Sequence, residues 1–428
     1  MVIILSRRLC STSLRSVPTV SPPRFSRSMA STQALTLASM GILYILYEMK
    51  LQETAKRKPI KHAFDPPYQS HLEVPNSLQP VSHSGRAPTI RIIVPSGSSG
   101  TDFDAWLYQV LLPFAVIVYI DQEAIDSYNG PTKRQHFDVN FYIERILGRD
   151  IFPSTYEWVM VNQEMLRVRD ESLEGIDLIL CKSKFAQRLL SRYLGSPKKV
   201  KYVGHGSRDL AKIGGGSKDY SLAIHPAGKS WLKGTYRLLK AWIEVNPPAT
   251  LIVTCREMCM DPTKIQRLLT CHFTYDSTSG KHIWSSGRSK IELAGFLSGD
   301  VLEDLQSRAG LWLCPSEVEG YGHYINEGRS AGATVMTTDF PPMNELIDSE
   351  SGFLVTIDEK TKIIQEGQLP GSKRVFPRVK NIKRTLTKIF NTPRSDLEKL
   401  GNEARRRYEK DLEFLSLGME QIVNDFSS

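Results

Sequence analysis

Several common signals are missing from this sequence of 428 residues, and each absence counts against a class of protein. No Asn-x-Ser/Thr acceptor occurs, which disfavours a catalytic domain in the secretory lumen. The six cysteines are scattered, and the one close pair, Cys255 and Cys259, has no second pair at zinc-site spacing. We therefore expect free, mostly buried thiols, with neither a disulfide framework nor a zinc site.

Acidic residues are absent before Glu48, whereas basic residues are frequent there. The early arginines are Arg7, Arg8, Arg15, Arg24 and Arg27. A segment rich in Ser and Arg and without acids is typical of an organellar transit peptide. Much of the formal net charge of +9 arises here, and the rest of the chain is close to balanced. We therefore expect no nucleic-acid partner.

An uncharged stretch from Met29 to Tyr47 has about the length that a bilayer core requires. It leaves two interpretations open. A single N-terminal anchor would place the protein on the membrane of the endoplasmic reticulum or Golgi, whereas a transit peptide would direct it to a mitochondrion or plastid. Basic residues flank the stretch on both sides, so the positive-inside rule leaves its orientation undetermined.

Composition and pattern divide the chain into six predicted segments. They are a basic Ser/Arg-rich targeting segment (1–31), a possible membrane anchor (32–49), a Pro-rich tether (50–88), an acceptor-side domain (89–208), a donor domain (219–365) and a helical C-terminal extension (366–428). The boundary between the two domains is placed at the glycines Gly214 to Gly216, which form a flexible joint.

Both domains show short β-branched runs separated by amphipathic stretches, which predicts βα units and a parallel sheet in each. The runs begin at Ile90, Val116, Trp158 and Asp177 in the first domain, and at Leu222, Thr250, Leu311 and Thr334 in the second. The predicted fold class is α/β, with two doubly wound Rossmann-like domains that face each other across a cleft. Ligands of such sheets bind beyond the carboxyl ends of the strands.

The segment from Leu311 to Val355 carries the most specific pattern. A buried strand leads into a glycine-containing loop with Glu319, and a helix is predicted to begin at His323 and to include Glu327. A helix that begins beside glycines directs unpaired N–H groups at an anion such as phosphate. Carboxylates there would repel phosphate, so we expect them to accept hydrogen bonds from sugar hydroxyls.

The sequence EGYGHYINE resembles the paired-glutamate motif of the retaining family-4 (group 1) glycosyltransferases, which have the GT-B fold. The family's usual continuation is matched by Asn344 to Ile347 and Ser351 to Val355. The resemblance implies that Glu319 is a catalytic residue in contact with the transferred sugar, that the backbone of Gly322, His323 and Tyr324 contacts the diphosphate or sugar, and that Glu327 binds the ribose.

A second block, Ala227 to Gly234, follows the first strand of the donor domain and places Lys229 and Lys233 in a glycine-bounded loop. Lysines supply point charges to a diphosphate. The block resembles the family's donor-phosphate loop, although it is one residue shorter and has Lys229 where arginine is usual. The resemblance implies that both lysines bind the donor and that Lys233 also acts in catalysis by neutralising the departing nucleoside diphosphate.

The acceptor-side domain matches the family less well. Asn162 to Glu164 and Gly175 to Ser183 resemble the edge of that domain in some members, and Gly204 to Gly206 resembles its junction with the donor domain. The family's glycine-rich loop is represented only by Ser96 to Gly100.

The resulting prediction is a glycosyltransferase that moves a sugar from a nucleotide-sugar donor to an acceptor of unknown class, a glycan, lipid or protein. It is expected to retain anomeric configuration and to need neither a metal nor a cofactor beyond the nucleotide-sugar co-substrate.

Three alternatives stay open. The chain could be a catalytically degenerate nucleotide-sugar-binding or partner protein of the same fold. A dinucleotide-dependent enzyme would need a G-x-G-x-x-G sequence, which follows neither domain's first strand. Asp102 and Asp104 could form a metal-binding Asp-x-Asp pair, although they follow a Ser/Gly loop instead of an apolar strand.

Overall fold

The structure is a computed structural model that describes residues 88–427, with gaps at 96–98, 121–134, 167–172, 213–215, 256–261, 277–281, 296, 298, 359–361 and 365–368. The predicted targeting segment, the anchor and all but the end of the tether lie outside the described residues. None of the helices in the described part of the chain combines the length and the apolar character that a bilayer crossing requires.

The first part of the described chain forms a six-stranded parallel sheet with helices. Its elements are β1 (Ile90–Pro95), α1 (Ser99–Leu111), β2 (Val116–Ile120), β3 (Phe137–Ile143), β4 (Ser154–Met160), β5 (Leu178–Cys181), α2 (Lys184–Leu194) and β6 (Val200–Tyr202). The strand order is β2-β1-β3-β4-β5-β6, and all neighbours are parallel. Strands are therefore added on opposite sides of β1, which makes the crevice at the carboxyl end of β1 the switch point of this sheet.

Two strands of the first sheet, β3 and the short β6, were not predicted from the sequence, and β3 shows why. Its polar residues Asp138 and Asn140 interrupt the apolar pattern. In the structure Asn140 is buried and accepts a hydrogen bond of 2.9 Å from Nη1 of Arg91, a buried residue of the neighbouring strand. A buried polar group is tolerated when it is hydrogen-bonded, so the pair allows a central strand to carry these residues.

The second part forms an eight-stranded sheet. Its elements are β7 (Asp219–Gly228), α3 (Thr235–Val245), β8 (Thr250–Cys255), α4 (Pro262–Thr270), β9 (Thr274–Asp276), β10 (His282–Ser286), β11 (Ser289–Leu293), α5 (Gly299–Arg308), β12 (Ala309–Cys314), α6 (His323–Ser330), β13 (Thr334–Thr338), α7 (Met343–Leu346) and β14 (Gly352–Val355). The strand order is β14-β13-β12-β7-β8-β11-β10-β9.

The first six strands in that order are mutually parallel, whereas β10 and β9 extend the sheet in antiparallel fashion. The switch point lies between β7 and β12, which are direct neighbours. The loops that follow these two strands are the lysine-containing block and the glutamate motif, so the topology places both motifs at one crevice.

The remaining described elements are β15 (Lys362–Ile364), β16 (Lys373–Val375), α8 (Val379–Asn391) and α9 (Arg394–Ser427). The last helix has 34 residues and reaches two cores. Near its start Leu397 packs in the core of the second sheet, and farther along Leu412, Leu415 and Met419 pack in the core of the first sheet. A helix was predicted here from the charged character of the stretch, but charge alone does not identify the surfaces on which the helix packs.

Candidate functional site

The lysine-containing loop is held directly over the carboxyl end of β12. Lys233 ends a 3₁₀ turn that begins at Trp231, and Gly234 follows with φ of 72°. A Cβ atom on Gly234 would lie 2.2 Å from the backbone oxygen of Pro315. Only glycine permits this backbone angle and this approach without strain, so Gly234 fixes the position of Lys233 above the crevice.

Lys233 and Glu319 form an ion pair at the switch point. The Nζ atom of Lys233 lies 2.6 Å from Oε1 of Glu319 and 4.1 Å from the ring centroid of Tyr324. The hydroxyl of Ser316 bonds to both the Glu319 carboxylate and the Tyr324 hydroxyl. Glu319 is only 8% exposed, and its carboxylate therefore acts in a medium in which charge interactions are stronger than in water.

The amino end of α6 opens beside this pair. Gly322 is the N-cap residue with φ of 102°, and the first intrahelical bonds run from the N–H groups of Ile325 and Asn326 to its oxygen. The helix therefore makes no use of the N–H groups of His323 and Tyr324. These groups and the positive end of the helix dipole suit an anion.

Glu327 lies one turn into α6 and is bound by a residue that the sequence did not single out. Its Oε1 accepts a 3.0 Å hydrogen bond from Nε of Arg208, which also reaches Glu303 at 3.4 Å and Gln306 at 3.3 Å. Arg208 follows the Gly-His-Gly junction by two positions. This nearness to the junction was the one available signal that its side chain could enter the cleft.

Lys229 stands apart from the other predicted site residues. It is exposed, and within the described part of the chain it makes no hydrogen bond or ion pair. An ion pair made by an exposed lysine contributes little to stability.

A buried glutamate with two arginines forms the outer wall of the lysine-containing loop. Glu317 is 3% exposed and is bound by the guanidinium groups of Arg237 and Arg374. Arg374 also lies over the exposed ring of Trp231, 4.1 Å from its centroid. This arrangement was not predicted from the sequence, because Arg374 lies on β16, far along the chain from the loop. Two guanidinium groups against one carboxylate leave the wall positively charged.

At the carboxyl end of β1, a buried network links the first sheet to α6. Asp104 of α1 lies 2.5 Å from Nζ of Lys182, 2.7 Å from Nε2 of His205 and 3.2 Å from Nε2 of His323. Burial opposes ionisation of Asp104, but Lys182 and His205 together hold its pKa well below the usual range. Burial lowers the pKa of His205 to about 4, so this imidazole is neutral at pH 7.

Asp104, His205 and His323 are the one group in the described chain whose ligand atoms are close enough to share a metal ion. Both carboxylate oxygens of Asp104 already bind nitrogen atoms of Lys182 and His205. Asp102 lies two positions away on the same helix, and residues so spaced do not face each other. The pair Asp102 and Asp104 therefore cannot chelate one cation in the manner that an Asp-x-Asp motif requires.

The two sheets meet where the loop after β4 touches the glutamate motif. Nε2 of Gln163 donates to the backbone oxygen of Glu319 at 2.9 Å. A Cβ atom on Gly320 would lie 2.6 Å from Oδ1 of Asn162 and 2.7 Å from Oε1 of Glu164. Only a residue without a side chain fits here, so Gly320 allows direct contact across the cleft.

The structure thus brings Glu319, Lys233 and Tyr324 together, with Gly322 and His323 at the adjoining helix end. Glu327 lies on the same helix but pairs with Arg208, and Lys229 is separate. The side chain of His323 bonds to the hydroxyl of Ser207 through Nδ1 at 3.0 Å and lies 3.2 Å from Asp104 through Nε2. The chemical roles given to these residues stay predictions.

No family model and no curated protein matches this sequence. Solved structures with a similar fold include a glycosyltransferase from Rickettsia africae (13% identity, 79% of this chain and 98% of that chain covered, TM-score 0.53). HepE from Anabaena, in complex with UDP and glucose, is similar over 78% of this chain and 98% of its own at 14% identity, with TM-score 0.53. Sucrose-phosphate synthase from Thermosynechococcus elongatus is similar over 78% of this chain and 98% of its own, at 14% identity and with a TM-score of 0.51. At these identities the likeness establishes the fold, which is the two-domain GT-B architecture.

Proposed function

We propose that the protein is a glycosyltransferase that moves a sugar from a nucleotide-sugar donor to an acceptor bound on the first domain. In this proposal the reaction retains anomeric configuration and needs no metal ion. Support for the donor class comes from the similar GT-B structures, of which HepE is a complex with UDP and glucose. Support for the site comes from this chain's own residues.

One observation carries the proposal: Lys233 and Glu319 form a 2.6 Å ion pair at the switch point, beside the open amino end of α6. When the bond between sugar and diphosphate breaks, negative charge grows on the leaving phosphate. Fixed positive groups that meet this charge lower the barrier without reorganisation. Lys233 supplies an ammonium group, and the first N–H groups of α6 supply oriented dipoles.

Glu319 has a different task in this proposal. Its carboxylate can accept hydrogen bonds from the hydroxyls of the transferred sugar. In the absence of donor the same carboxylate keeps Lys233 in place. When donor binds, the lysine has both an anionic carboxylate and an anionic diphosphate within reach, and the positive wall of Arg237 and Arg374 adds to the attraction.

A second candidate, a nucleotide-sugar-binding protein without catalysis, is favoured by the ion pair at Glu327. Arg208 binds one oxygen, Oε1, of the carboxylate that is expected to hold the ribose hydroxyls. A binding protein tolerates a site in which polar groups are satisfied internally, because it needs no charge complementarity to a transition state.

The experiment that tests the proposal measures donor binding and donor consumption with the same protein. Melting temperature is recorded with UDP, GDP, UDP-glucose, UDP-galactose, UDP-N-acetylglucosamine and GDP-mannose, because a ligand that binds the native state raises it. Release of nucleoside diphosphate from each stabilising donor is then followed over hours. A transferase shows both stabilisation and slow hydrolysis, a binding protein shows stabilisation alone, and an absence of both contradicts the proposal.

We further propose that the protein is associated with a membrane of the endoplasmic reticulum or Golgi through residues 32–49, which lie outside the described residues. A fluorescent fusion at the C-terminus and one that lacks residues 1–49 would locate the full and shortened chains. Carbonate-resistant membrane binding that disappears on removal of residues 1–49 is the expected result. Import into a mitochondrion or plastid with loss of the N-terminus would support the transit peptide instead.

A further inference from the structure

The basic residues of the second domain are unevenly distributed along the chain. No acidic residue occurs from 367 to 395, whereas the same stretch contains eight basic residues. They are Lys373, Arg374, Arg378, Lys380, Lys383, Arg384, Lys388 and Arg394. The stretch includes β16 and α8. Surfaces of soluble domains usually carry charges of both signs interspersed, so a stretch of one sign indicates a surface for a partner of opposite charge.

Helix α8 directs its charges to solvent. Ile382, Leu386 and Ile389 form its inner face and pack in the core of the second sheet. The basic side chains of the helix lie between these positions and are all exposed; they are Lys380, Lys383, Arg384 and Lys388. Because burial of the apolar stripe fixes the rotation of the helix about its axis, the basic residues form a continuous stripe on its outer surface.

Helix α3 lies beside α8 and extends this outer surface. The rings of Trp242 on α3 and Phe390 on α8 are 5.6 Å apart, and Oε2 of Glu244 on α3 lies 3.1 Å from Nζ of Lys383. Lys240 lies four positions before Glu244, so it shares the outer side of α3. We call the surface formed by five residues the basic face; they are Lys240, Lys380, Lys383, Arg384 and Lys388.

Carboxylates balance only part of the basic face. Glu244 lies 3.1 Å from Nζ of Lys383, and Asp358 lies 3.6 Å from Nζ of Lys380. The three other members of the basic face make no ion pair with a carboxylate among the residues that the structure describes. The basic face therefore keeps a net positive charge that is open to solvent.

Exposed aromatic side chains border the basic face. Trp231 is 59% exposed and Tyr236 is 39% exposed. The guanidinium carbon of Arg374 lies 4.1 Å from the ring centroid of Trp231, and Nζ of Lys240 lies 4.8 Å from that of Tyr236. Tryptophan and tyrosine beside basic residues are typical of protein surfaces at the headgroup level of a membrane. Stacking on nucleic-acid bases requires free ring faces, and here a cation already covers one face of each ring.

The N-terminal residues 1–87 do not have the charge to cover the basic face, because they include eleven basic and four acidic residues. A second copy of the chain, joined through the same surface, would bring like charges together. The charges therefore favour an external anionic partner, and the aromatic border favours a lipid surface over a nucleic acid.

We propose that the basic face docks on the headgroups of anionic lipids at a membrane surface. Attraction to an anionic surface raises the partition coefficient about fivefold for each lysine or arginine near it, so several such residues together give appreciable binding. The anchor proposed for residues 32–49 would hold the basic face close to the membrane and raise its effective concentration there. The docking does not depend on the proposed transferase activity, and it adds a second membrane contact within the second domain.

The first arm of the test maps lysine accessibility in the full chain, reconstituted with vesicles of phosphatidylcholine alone or of equal parts phosphatidylcholine and phosphatidylserine. Lysines are acetylated under single-hit conditions, and the rate at each site is read by mass spectrometry. With anionic vesicles Lys240 and Lys388 are expected to react about fivefold more slowly, and high salt restores their rates. Lys198 and Lys201, exposed residues of the first domain, are the internal control. Equal rates with both kinds of vesicle would overturn the proposal.

The second arm removes the charges of the basic face that have no carboxylate partner. A triple variant combines Lys240→Gln, Arg384→Gln and Lys388→Gln. It is expected to lower the affinity of the basic face for the anionic surface on the order of a hundredfold, so that Lys380 and Lys383 are no longer protected by anionic vesicles. Protection that persists in this variant would contradict the proposal.

A matched control removes the same number and kind of charges from the first domain. It combines Arg192→Gln, Lys198→Gln and Lys201→Gln, all at exposed positions. Protection of the basic face by anionic vesicles is expected to be unchanged in this control, and equal melting temperatures establish that both triple variants are folded. An equal loss of protection in the control and in the first variant would mean that only the net charge of the chain matters, which overturns the assignment to the basic face.

Soluble polyanions distinguish the class of partner in the same acetylation experiment. Transfer RNA and polyglutamate replace the vesicles at physiological ionic strength. Protection by either polymer, without protection by anionic vesicles, would overturn the assignment to lipid. Failure of the proposed anchor is seen separately as loss of carbonate-resistant binding, and failure of the proposed transferase as absence of donor hydrolysis. The acetylation rates at the basic face are read independently of both.

Discussion

The carboxyl edges of the two sheets differ in how their polar groups are paired. At the edge of the second sheet every buried charge near the lysine-containing loop has a partner of opposite sign: Lys233 with Glu319, and Glu317 with two arginines. At the edge of the first sheet, three buried oxygen atoms, Oδ1 of Asn162, Oε1 of Gln163 and Oε2 of Glu164, have no hydrogen-bond partner among the described residues. The same sheet topology thus presents cations at one face of the cleft and hydrogen-bond acceptors at the other.

The difference in pairing indicates that the two edges have different roles. Paired cations can be shared with an incoming diphosphate without a change of conformation, which suits a site for a charged donor. Of the unpaired oxygens, Oδ1 of Asn162 lies against Gly320 of the second domain, so this edge takes part in the contact between the domains. Variants at each edge should therefore affect different measurements.

The largest effect is expected for Lys233→Ala. If the ammonium group meets charge that develops as the diphosphate departs, turnover falls on the order of a hundredfold to a thousandfold, whereas affinity for intact donor falls far less. Donor hydrolysis and donor affinity are measured side by side. Lys399→Ala, at a surface lysine that is 77% exposed, is the control. Equal and modest losses in both quantities would mean that Lys233 only anchors the donor.

Glu327→Ala is expected to act on donor binding. Loss of charge-assisted hydrogen bonds to the ribose costs about 1.5 to 3 kcal/mol, or roughly tenfold to a hundredfold in the dissociation constant. Titration calorimetry with the stabilising donor gives the value. Glu413→Ala, at an exposed glutamate of α9, should leave it unchanged. An unaltered dissociation constant for Glu327→Ala would assign its carboxylate to Arg208 alone.

Gly320→Ala tests the contact where the two edges meet. The new methyl group would lie within 2.7 Å of Asn162 and Glu164, and such overpacking costs about 1 to 3 kcal/mol of stability. The expected result is a lower melting temperature together with a loss of activity. Gly299→Ala is the matched control, since a Cβ atom there meets nothing within 4 Å. A normal melting temperature for Gly320→Ala would show that the edges separate easily.

The smallest effect on donor hydrolysis is expected from removal of metal ions. The lysine and the amino end of α6 supply the positive charge in the proposed mechanism, so donor hydrolysis should survive excess EDTA. Rates are compared before and after chelation, and again after addition of manganese. Complete loss of donor hydrolysis with EDTA and its recovery with manganese would indicate a metal site at Asp104, His205 and His323, which lie close enough to share an ion.

The sequence predicted most of the sheet framework because buried parallel strands are short apolar runs. Strands β1 and β2 and helix α2 lie where the pattern placed them. The strand β3 was missed because its burial depends on a partner, Arg91, 49 positions away. The antiparallel extension through β9 and β10 was missed because edge strands carry mixed polar residues, for which periodicity gives no distinct signal.

Part of the site could be predicted from the order of its elements along the chain. The loops with Lys233 and Glu319 follow adjacent strands of one parallel sheet, so their meeting follows from topology once the strands are known. The pairing of Arg208 with Glu327 and the contact of Gly320 with Glu164 depend on how two domains pack. Neither the hydrophobic periodicity of the sequence nor its local turn signals predict how the two domains pack.

The long helix α9 limits how this protein can be cut and recombined. Its start supplies Leu397 to the core of the second sheet, whereas Tyr408, Leu412 and Met419 belong to the core of the first. The first domain is therefore a discontinuous unit, encoded at both ends of the folded region. A chimera that exchanges this domain must also exchange the second half of α9, and a stop codon placed near position 405 would remove part of a domain whose sheet ended about two hundred residues earlier.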